Sequence, residues 1–179
     1  MGYRHSREEI LDAAVAVALE RGMASLTFGA VGERLGISDR TVVYYFATKP
    51  ALVIAVAETL GVTLMTLLDD AFGPEPQSEQ DLLRRAWPAL SAPEADRIFA
   101  LFFEMLGLAS AGQAPYDTLA PAMVDGWVDW LVTRLPSGSV AARRRRALAL
   151  VAQIDGLLLL RRVLGAEAAD LAARELGAR

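Results

Sequence analysis

Between Leu26 and Leu52 the chain reads LTFGAVGERLGISDRTVVYYFATKPAL, and its side chains with chemical reach are those that grip a base edge or an anion. Arg40 can donate two hydrogen bonds to guanine O6 and N7 from the start of a helix lying in a major groove. Thr41, Tyr44 and Tyr45 suit phosphate or thymine-methyl contacts. Thr48 and Lys49 open a following helix, where backbone N–H groups and an ammonium can hold a phosphate. Val43 shares the outer face, and Thr27 and Ser38, at the starts of two helices, complete the candidate DNA-binding set. The chemistry is recognition of double-stranded DNA rather than catalysis.

These side chains need a particular frame. A helix from Thr27, which can cap its first N–H groups, would bury Val31 and Leu35 on one face. Gly36 ends it, because glycine tolerates the left-handed conformation of a sharp inter-helix turn, and Ile37 plugs that turn. Ser38 is expected to cap the next helix, with Asp39 in its positive first turn. At 100° per residue Val42 and Phe46 then point inward, and Arg40, Val43, Tyr44 and Ala47 point outward. The spacing therefore predicts a helix-turn-helix over about 27–46 with a polar outer face. The competing reading is a compact three-helix unit whose surface does nothing.

Other chemistries are narrowed by composition. The 179 residues contain no Cys and one His, His5, so one chain cannot assemble a thiolate or His-rich metal site or a Ser-His-Asp triad. No metal and no cofactor is expected. Glu104, Asp125, Asp129 and Asp155 are carboxylates that could do acid–base work, but no pairing among them is visible. The absence of Cys agrees with a reducing cytoplasm. Residues 1–50 carry six Lys/Arg and six Asp/Glu, so the whole net charge of −4 belongs to the rest of the chain. A neutral reading head must rely on dimerisation and placed contacts more than on bulk attraction. No targeting peptide is visible, because Arg4, Arg7, Glu8 and Glu9 interrupt the N-terminus. The apolar stretch 51–68 contains Glu58 and Gly61 and falls short of the roughly 20 residues a membrane span prefers, so it reads as a helix buried on several sides.

Residues 7–52 resemble the N-terminal DNA-binding domain of the TetR (tetracycline repressor) family of bacterial transcriptional regulators. REEILDAAVAVALERG is similar to the family's opening helix, Thr27 onward to its capped second helix, GISDRTVVYYF to its turn and recognition helix, and TKPAL to the start of its domain-joining helix. Gly32 stands where the family usually has Ala, Arg40 where it usually has a small residue, and Val43 where it often has an aromatic one. The operator sequence is therefore not implied. The resemblance implies an all-α fold: a three-helix DNA-binding domain over 1–50 and a C-terminal helical bundle over 51–179 for ligand binding and dimerisation.

The rest of the chain fits that architecture. Alternation of period two is absent, Ala and Leu dominate, and Pro and Gly gather at boundaries. Helices are expected near 6–22, 27–34, 38–45, 48–72, 79–90, 93–111, 115–135, 139–164 and 167–177. Trp87, Phe99, Phe102, Phe103, Leu106, Met123 and Trp127, with Met105 and Trp130, concentrate bulky apolar side chains in the middle of the second part. They read either as bundle core, given the i, i+3, i+4, i+7 spacing of Phe99, Phe102, Phe103 and Leu106, or as the lining of a small-molecule pocket. Gln153, Glu104 and Asp125 would be polar anchors in the second reading, for a bulky, apolar, aromatic or cationic effector. Ala149, Ala152 and Gly156 form a small-residue stripe beside Leu157 and Leu160, which would serve a homodimer interface or intrachain packing. A two-fold protein would match a palindromic operator. Arg143–Arg146 point all round a helix and read as a solvated, salt-bridged helix start. Asp155 would be costly to bury unpaired, so Arg162 or a partner chain is expected to neutralise it. The expectation is a cytoplasmic homodimeric repressor. The alternatives are a helical protein-interaction module that has lost DNA binding and an all-helical enzyme.

Overall fold

A computed structural model describes residues 5–178. Among them the regular structure is nine α-helices and one 3-10 turn, without strands. The helices are α1 (Arg7–Arg21), α2 (Phe28–Leu35), α3 (Asp39–Tyr45), α4 (Lys49–Phe72), α5 (Glu79–Leu90), α6 (Pro93–Ser110), α7 (Tyr116–Arg134), α8 (Val140–Leu164) and α9 (Ala166–Glu175), with the 3-10 turn at Met23–Ser25 between α1 and α2. Every helix expected from the sequence is present, with ends displaced by no more than two residues. One expectation fails: Pro88 lies inside α5 and Pro121 inside α7, and Gly32, Gly61, Gly107, Gly126 and Gly156 are helical as well. Pro121 sits in the second turn of α7 and Pro88 in the last turn of α5. Both lie beyond the first turn, so the N–H that proline lacks forfeits an i→i−4 hydrogen bond, to the Arg84 carbonyl in α5 and to the Asp117 carbonyl in α7.

The helices start where the sequence offers caps. Ser6 and Glu9 form a reciprocal capping box on α1: Glu9 N–H donates to Ser6 Oγ at 3.1 Å and Ser6 N–H to Glu9 Oε2 at 2.9 Å. Ser78 and Ser139 accept from Asp81 N–H and Ala142 N–H, each at 3.2 Å, and so cap α5 and α8.

The chain forms two compact units. One is the chain up to Thr63 together with Leu101–Ala120; the other is Leu64–Ala100 together with Pro121 onward. In the first, Ile10, Ala14, Val17, Met23, Leu26, Val31, Val42, Leu52, Val53 and Val56 have no exposed surface. Ten such side chains remove enough apolar area from water to hold a small helical domain together. In the second, α8 packs against α9 and α5. Its buried core includes Leu82, Leu83, Trp87, Leu135, Leu150, Leu157, Ala169 and Ala173. Charge pairs cross between its helices: Arg161 is bidentate to Asp96 at 2.7 and 2.9 Å, Arg146 pairs with Glu79, and Arg134 with Asp69.

Among the described residues α4 is the one helix long and apolar enough to cross a membrane by length and composition. Leu52, Val56, Leu60, Leu64, Leu68 and Phe72 recur at helical spacing and are buried inside the protein, which marks a packing face.

Candidate nucleic-acid interface

The reading surface is built from the turn outward. Thr27 accepts from Ala30 N–H at 3.1 Å and caps α2 as expected. Gly36 takes the left-handed conformation, φ 67° and ψ 30°, and Ile37 N–H returns to Gly32 C=O at 2.9 Å, closing the helix end. Gly32 has a role beyond the loosening its backbone entropy suggests. A Cβ there would lie 2.8 Å from the Ile37 carbonyl oxygen, so glycine lets the turn pass against α2. Exposed ion pairs Arg34–Glu20 at 2.8 Å and Arg21–Glu33 at 3.5 Å link α2 to α1.

α3 is clamped on its inner side. Val42 is wholly buried and Phe46 nearly so, and the Arg7 guanidinium lies 4.7 Å from the Phe46 ring centre. Two sequence expectations are corrected. Ser38 occupies the N-cap position with extended backbone but makes no side-chain cap. Its hydroxyl lies 3.1 Å from Thr41 Oγ1, and Asp39 Oδ1 accepts from Arg40 N–H at 2.8 Å instead. A carboxylate acceptor one residue further on has displaced the hydroxyl from the job. Tyr45 is half-buried, and its hydroxyl donates to the His5 carbonyl at 2.5 Å, so it ties α3 to the start of α1 rather than standing free for phosphate.

The outer face matches the expectation. Arg40, Val43, Tyr44, Ala47, Thr48 and Lys49 are exposed, Tyr44 at 81%. Thr41 is half-buried beside them. Thr48 Oγ1 accepts from Ala51 N–H at 3.2 Å and so caps α4 beside Lys49. Neither Arg40 nor Lys49 has an acidic partner among the described residues. Two unpaired cations at the opening of α3 and of α4 are suited to an anionic ligand.

The remaining candidate residues are distributed. Trp87 is buried and donates Nε1–H to Asp170 at 3.0 Å, which makes it a brace to α9. Phe99 borders a hollow of about 210 Å³ with Asp96, Leu158, Arg161, Arg162 and Ala166. Gln153 borders another of about 410 Å³ with Glu79, Ala142, Arg145, Arg146, Ala149 and Leu150. Met123 and Trp127 are half-buried. Trp127 meets Trp130 edge-on, with ring centres 5.6 Å apart, and Trp130 stacks on Phe72 at 5.5 Å. Phe102, Phe103 and Leu106 are half-buried and belong to the first unit, the two phenyl rings 5.6 Å apart. On α8, Ala149, Ala152 and Gly156 are exposed and Leu160 is half-buried. Leu157 is 1% exposed and faces its own core, because it falls on the Leu150 side of the helix.

Of the arginine run, Arg144 reaches Asp125 at 2.7 Å and also pairs with Asp129. Arg146 grips Glu79 and holds its carboxyl at about 2, against the usual 4.5, by that hydrogen bond. Arg143 donates to the Val132 carbonyl at 3.2 Å, and Arg145 is exposed. Asp125 is thus paired at the surface, not an anchor in a pocket. Asp155 finds no neutralising arginine among the described residues: Arg161 belongs to Asp96, and Arg162 is exposed. Burial pushes its carboxyl up from the usual 3.8 to about 6. Glu104, another expected anchor, accepts from Met23 N–H and Ala24 N–H, both at 3.0 Å. Sequence gave no hint of that contact, because the partners are backbone groups some eighty residues away. The Ser6/Glu9 box, by contrast, follows the local S-x-x-E pattern that the sequence carries.

An all-helical chain with a helix-turn-helix, a clamped inner face and an unpaired cationic outer face defines a DNA-binding regulator. The sequence profile described as bacterial regulatory proteins, tetR family, matches residues 10–56, so the helix-turn-helix segment is similar to that family's DNA-binding domain. Solved structures of similar fold include a transcriptional regulator from Rhodococcus sp. Rha1, 22% identical with a TM-score of 0.73 over 97% of this chain and 92% of that one. A TetR-family transcriptional regulator from Cytophaga hutchinsonii is 16% identical, TM-score 0.74, over 96% and 90%. The multidrug binding protein EbrR complexed with proflavin is 22% identical, TM-score 0.67, over 95% and 96%. No curated protein sequence shows a significant match.

Proposed function

We propose that the chain is a cytoplasmic, homodimeric bacterial repressor. It holds a palindromic operator with two copies of α3 and leaves it when a small molecule occupies the C-terminal part. Residues 1–50 read DNA, and 51–179 take the effector and the second protomer. The observation that carries this reading is the outer face of α3 and its neighbour: Arg40 and Lys49 exposed, and unpaired among the described residues, beside Tyr44, over a buried Val42 and Phe46.

A dimer is supported by the outer face of α8, where Ala149, Ala152 and Gly156 are exposed among Leu148, Leu159 and Val163, the last 68% exposed. Small residues allow close helix approach, and the leucines supply apolar area to bury. One seven-residue helix reads few bases, so two related by a dyad give the site its length. EbrR complexes with proflavin and with malachite green favour a bulky aromatic cation as effector class. Such a ligand releases DNA only by binding better to a conformation in which the two heads are wrongly spaced. α4 runs without a break from Lys49 to Phe72 and so carries movement toward the head.

The test is a pair of variants on retained DNA. Arg40→Ala should relax base preference at its contacted position by about 1–3 kcal/mol. Lys49→Ala should weaken binding evenly across sequences and lower the salt slope by about one. Parent-like binding by both would show that another surface reads DNA.

A further inference from the structure

The turn that leads into the reading helices is held from α6. Glu104 Oε2 accepts from Met23 N–H and Oε1 from Ala24 N–H, each at 3.0 Å, so both oxygens of one carboxylate sit on the opening of the Met23–Ser25 turn. That turn has no side-chain cap of its own, because Gly22 stands at its N-cap. Gly22 has φ +86°, and a Cβ there would lie 3.1 Å from Glu104 Oε2, so glycine serves both the backbone conformation and the approach of the carboxylate. Met23 and Leu26, at either end of the gripped segment, have no exposed surface, and Leu26 runs directly into Thr27, the cap of α2. Ala24 and Ser25 are exposed, but a hydrogen-bonded turn anchored by buried Met23 and Leu26 passes displacement on to the next helix instead of absorbing it. α6 itself is divided: its residues up to Ala100 cluster with the second unit and those from Leu101 with the first.

We propose that Glu104 is a positioning residue for DNA reading. By fixing the 22–26 turn it sets the attitude of α2 and α3, and it gives α6 a hold on the reading head separate from the continuity of α4. The proposal rests on the regulator reading of α3, and its test separates the two.

The experiment compares the full-length parent with Glu104→Gln and Glu104→Ala, reading amide hydrogen exchange and affinity for DNA recovered by the parent from a random pool. Gln keeps the shape but turns an NH2 toward one of the two donors. Exchange should quicken at Met23 and Ala24 and throughout Phe28–Tyr45, while α8 amides keep the parent rate. Affinity should fall about tenfold in the Gln variant, the scale of one lost hydrogen bond, and further in the Ala variant. A cap of purely local importance would quicken only Met23 and Ala24 and leave affinity at the parent value, and that result overturns the proposal. Should the Ala variant not fold, the isosteric Gln variant decides. If the parent itself retains no DNA, the regulator reading fails independently. The exchange pattern then decides alone: spread through Phe28–Tyr45 upholds the hold on the head, and confinement to the two gripped amides refutes it.

Discussion

α3 and α8 both follow a serine and both bury one face, yet their outer faces are opposite in kind. Outside α3 stand Arg40 and Tyr44, with Lys49 just beyond, and neither cation is paired among the described residues. Outside α8 stand Leu148, Ala149, Ala152, Gly156, Leu159 and Val163, while Arg144, Arg146 and Arg161 are taken up by carboxylates of the same chain. Free cations with donor geometry are matched by an anionic surface such as DNA, and exposed small and branched apolar side chains by another helix. Under the proposed function the two faces serve different partners, nucleic acid for α3 and a second protomer for α8.

The most damaging change to that contrast is Leu159→Arg. Leu159 is 48% exposed, so the single chain should fold as before. A charge at the centre of an apolar interface should split the dimer and lower operator affinity by about 100-fold, the effect of losing a strong interface contact. Sedimentation would show monomer; a persistent dimer with full affinity would move the interface elsewhere. Next comes Gly32→Ala. It removes a helix penalty of about 1 kcal/mol. It also drives a Cβ to 2.8 Å from the Ile37 carbonyl, and overpacking of this kind costs about 1–3 kcal/mol. Denaturant unfolding should show a net loss, and DNA affinity should fall with it. A stabilised protein with parent affinity would mean that the turn does not need the glycine.

How far these contacts were legible in the sequence differs between the two regions for a physical reason. The head is built from relations within a few residues, such as Thr27 to Ala30 and Gly36 after Leu35, so pattern and spacing disclosed it. At the start of α3 two local acceptors, Ser38 and Asp39, compete, and spacing does not say which wins. The second part depends on groups far apart in sequence, Trp87 with Asp170 and Arg161 with Asp96, and the same holds of the grip on the head, Glu104 on Met23 and Ala24. Periodicity located the helices that carry these residues and said nothing of who faces whom. For the same reason Leu157 was grouped with an outer stripe although it lies inside.

Asp155 sharpens the comparison from the other direction, being a half-buried acid without a cation among the described residues, where Arg40 and Lys49 are cations without an acidic partner. Its carboxyl titrates higher in the folded chain, about 6, than the usual 3.8, so the folded state favours the proton and is penalised once pH rises through this window. Asp155→Asn should therefore stabilise the protein at pH 7 by on the order of 1–2 kcal/mol. The advantage should vanish as pH falls from about 6 to 3.8. Urea unfolding at pH 7 and pH 4 checks both limbs, and an equal effect at both would assign the gain to something other than charge. The smallest effect separates the two caps of the head. Thr27→Ala should cost about 1 kcal/mol, because Ala30 N–H loses its acceptor. Ser38→Ala should cost only a few tenths, because no N–H depends on that hydroxyl. Equal costs in thermal unfolding would put Ser38 back as a cap.

The central claim is that α3 reads DNA as one of a two-fold pair. It is tested most directly by selecting binding sites from a random or genomic DNA pool with the purified full-length protein at moderate salt and sequencing what is retained. The account predicts a palindrome whose half-sites lie about one helical turn apart, with the protein bound as two protomers. Retention of no sequence above background would contradict it and leave the exposed face of α3 without the partner assigned to it.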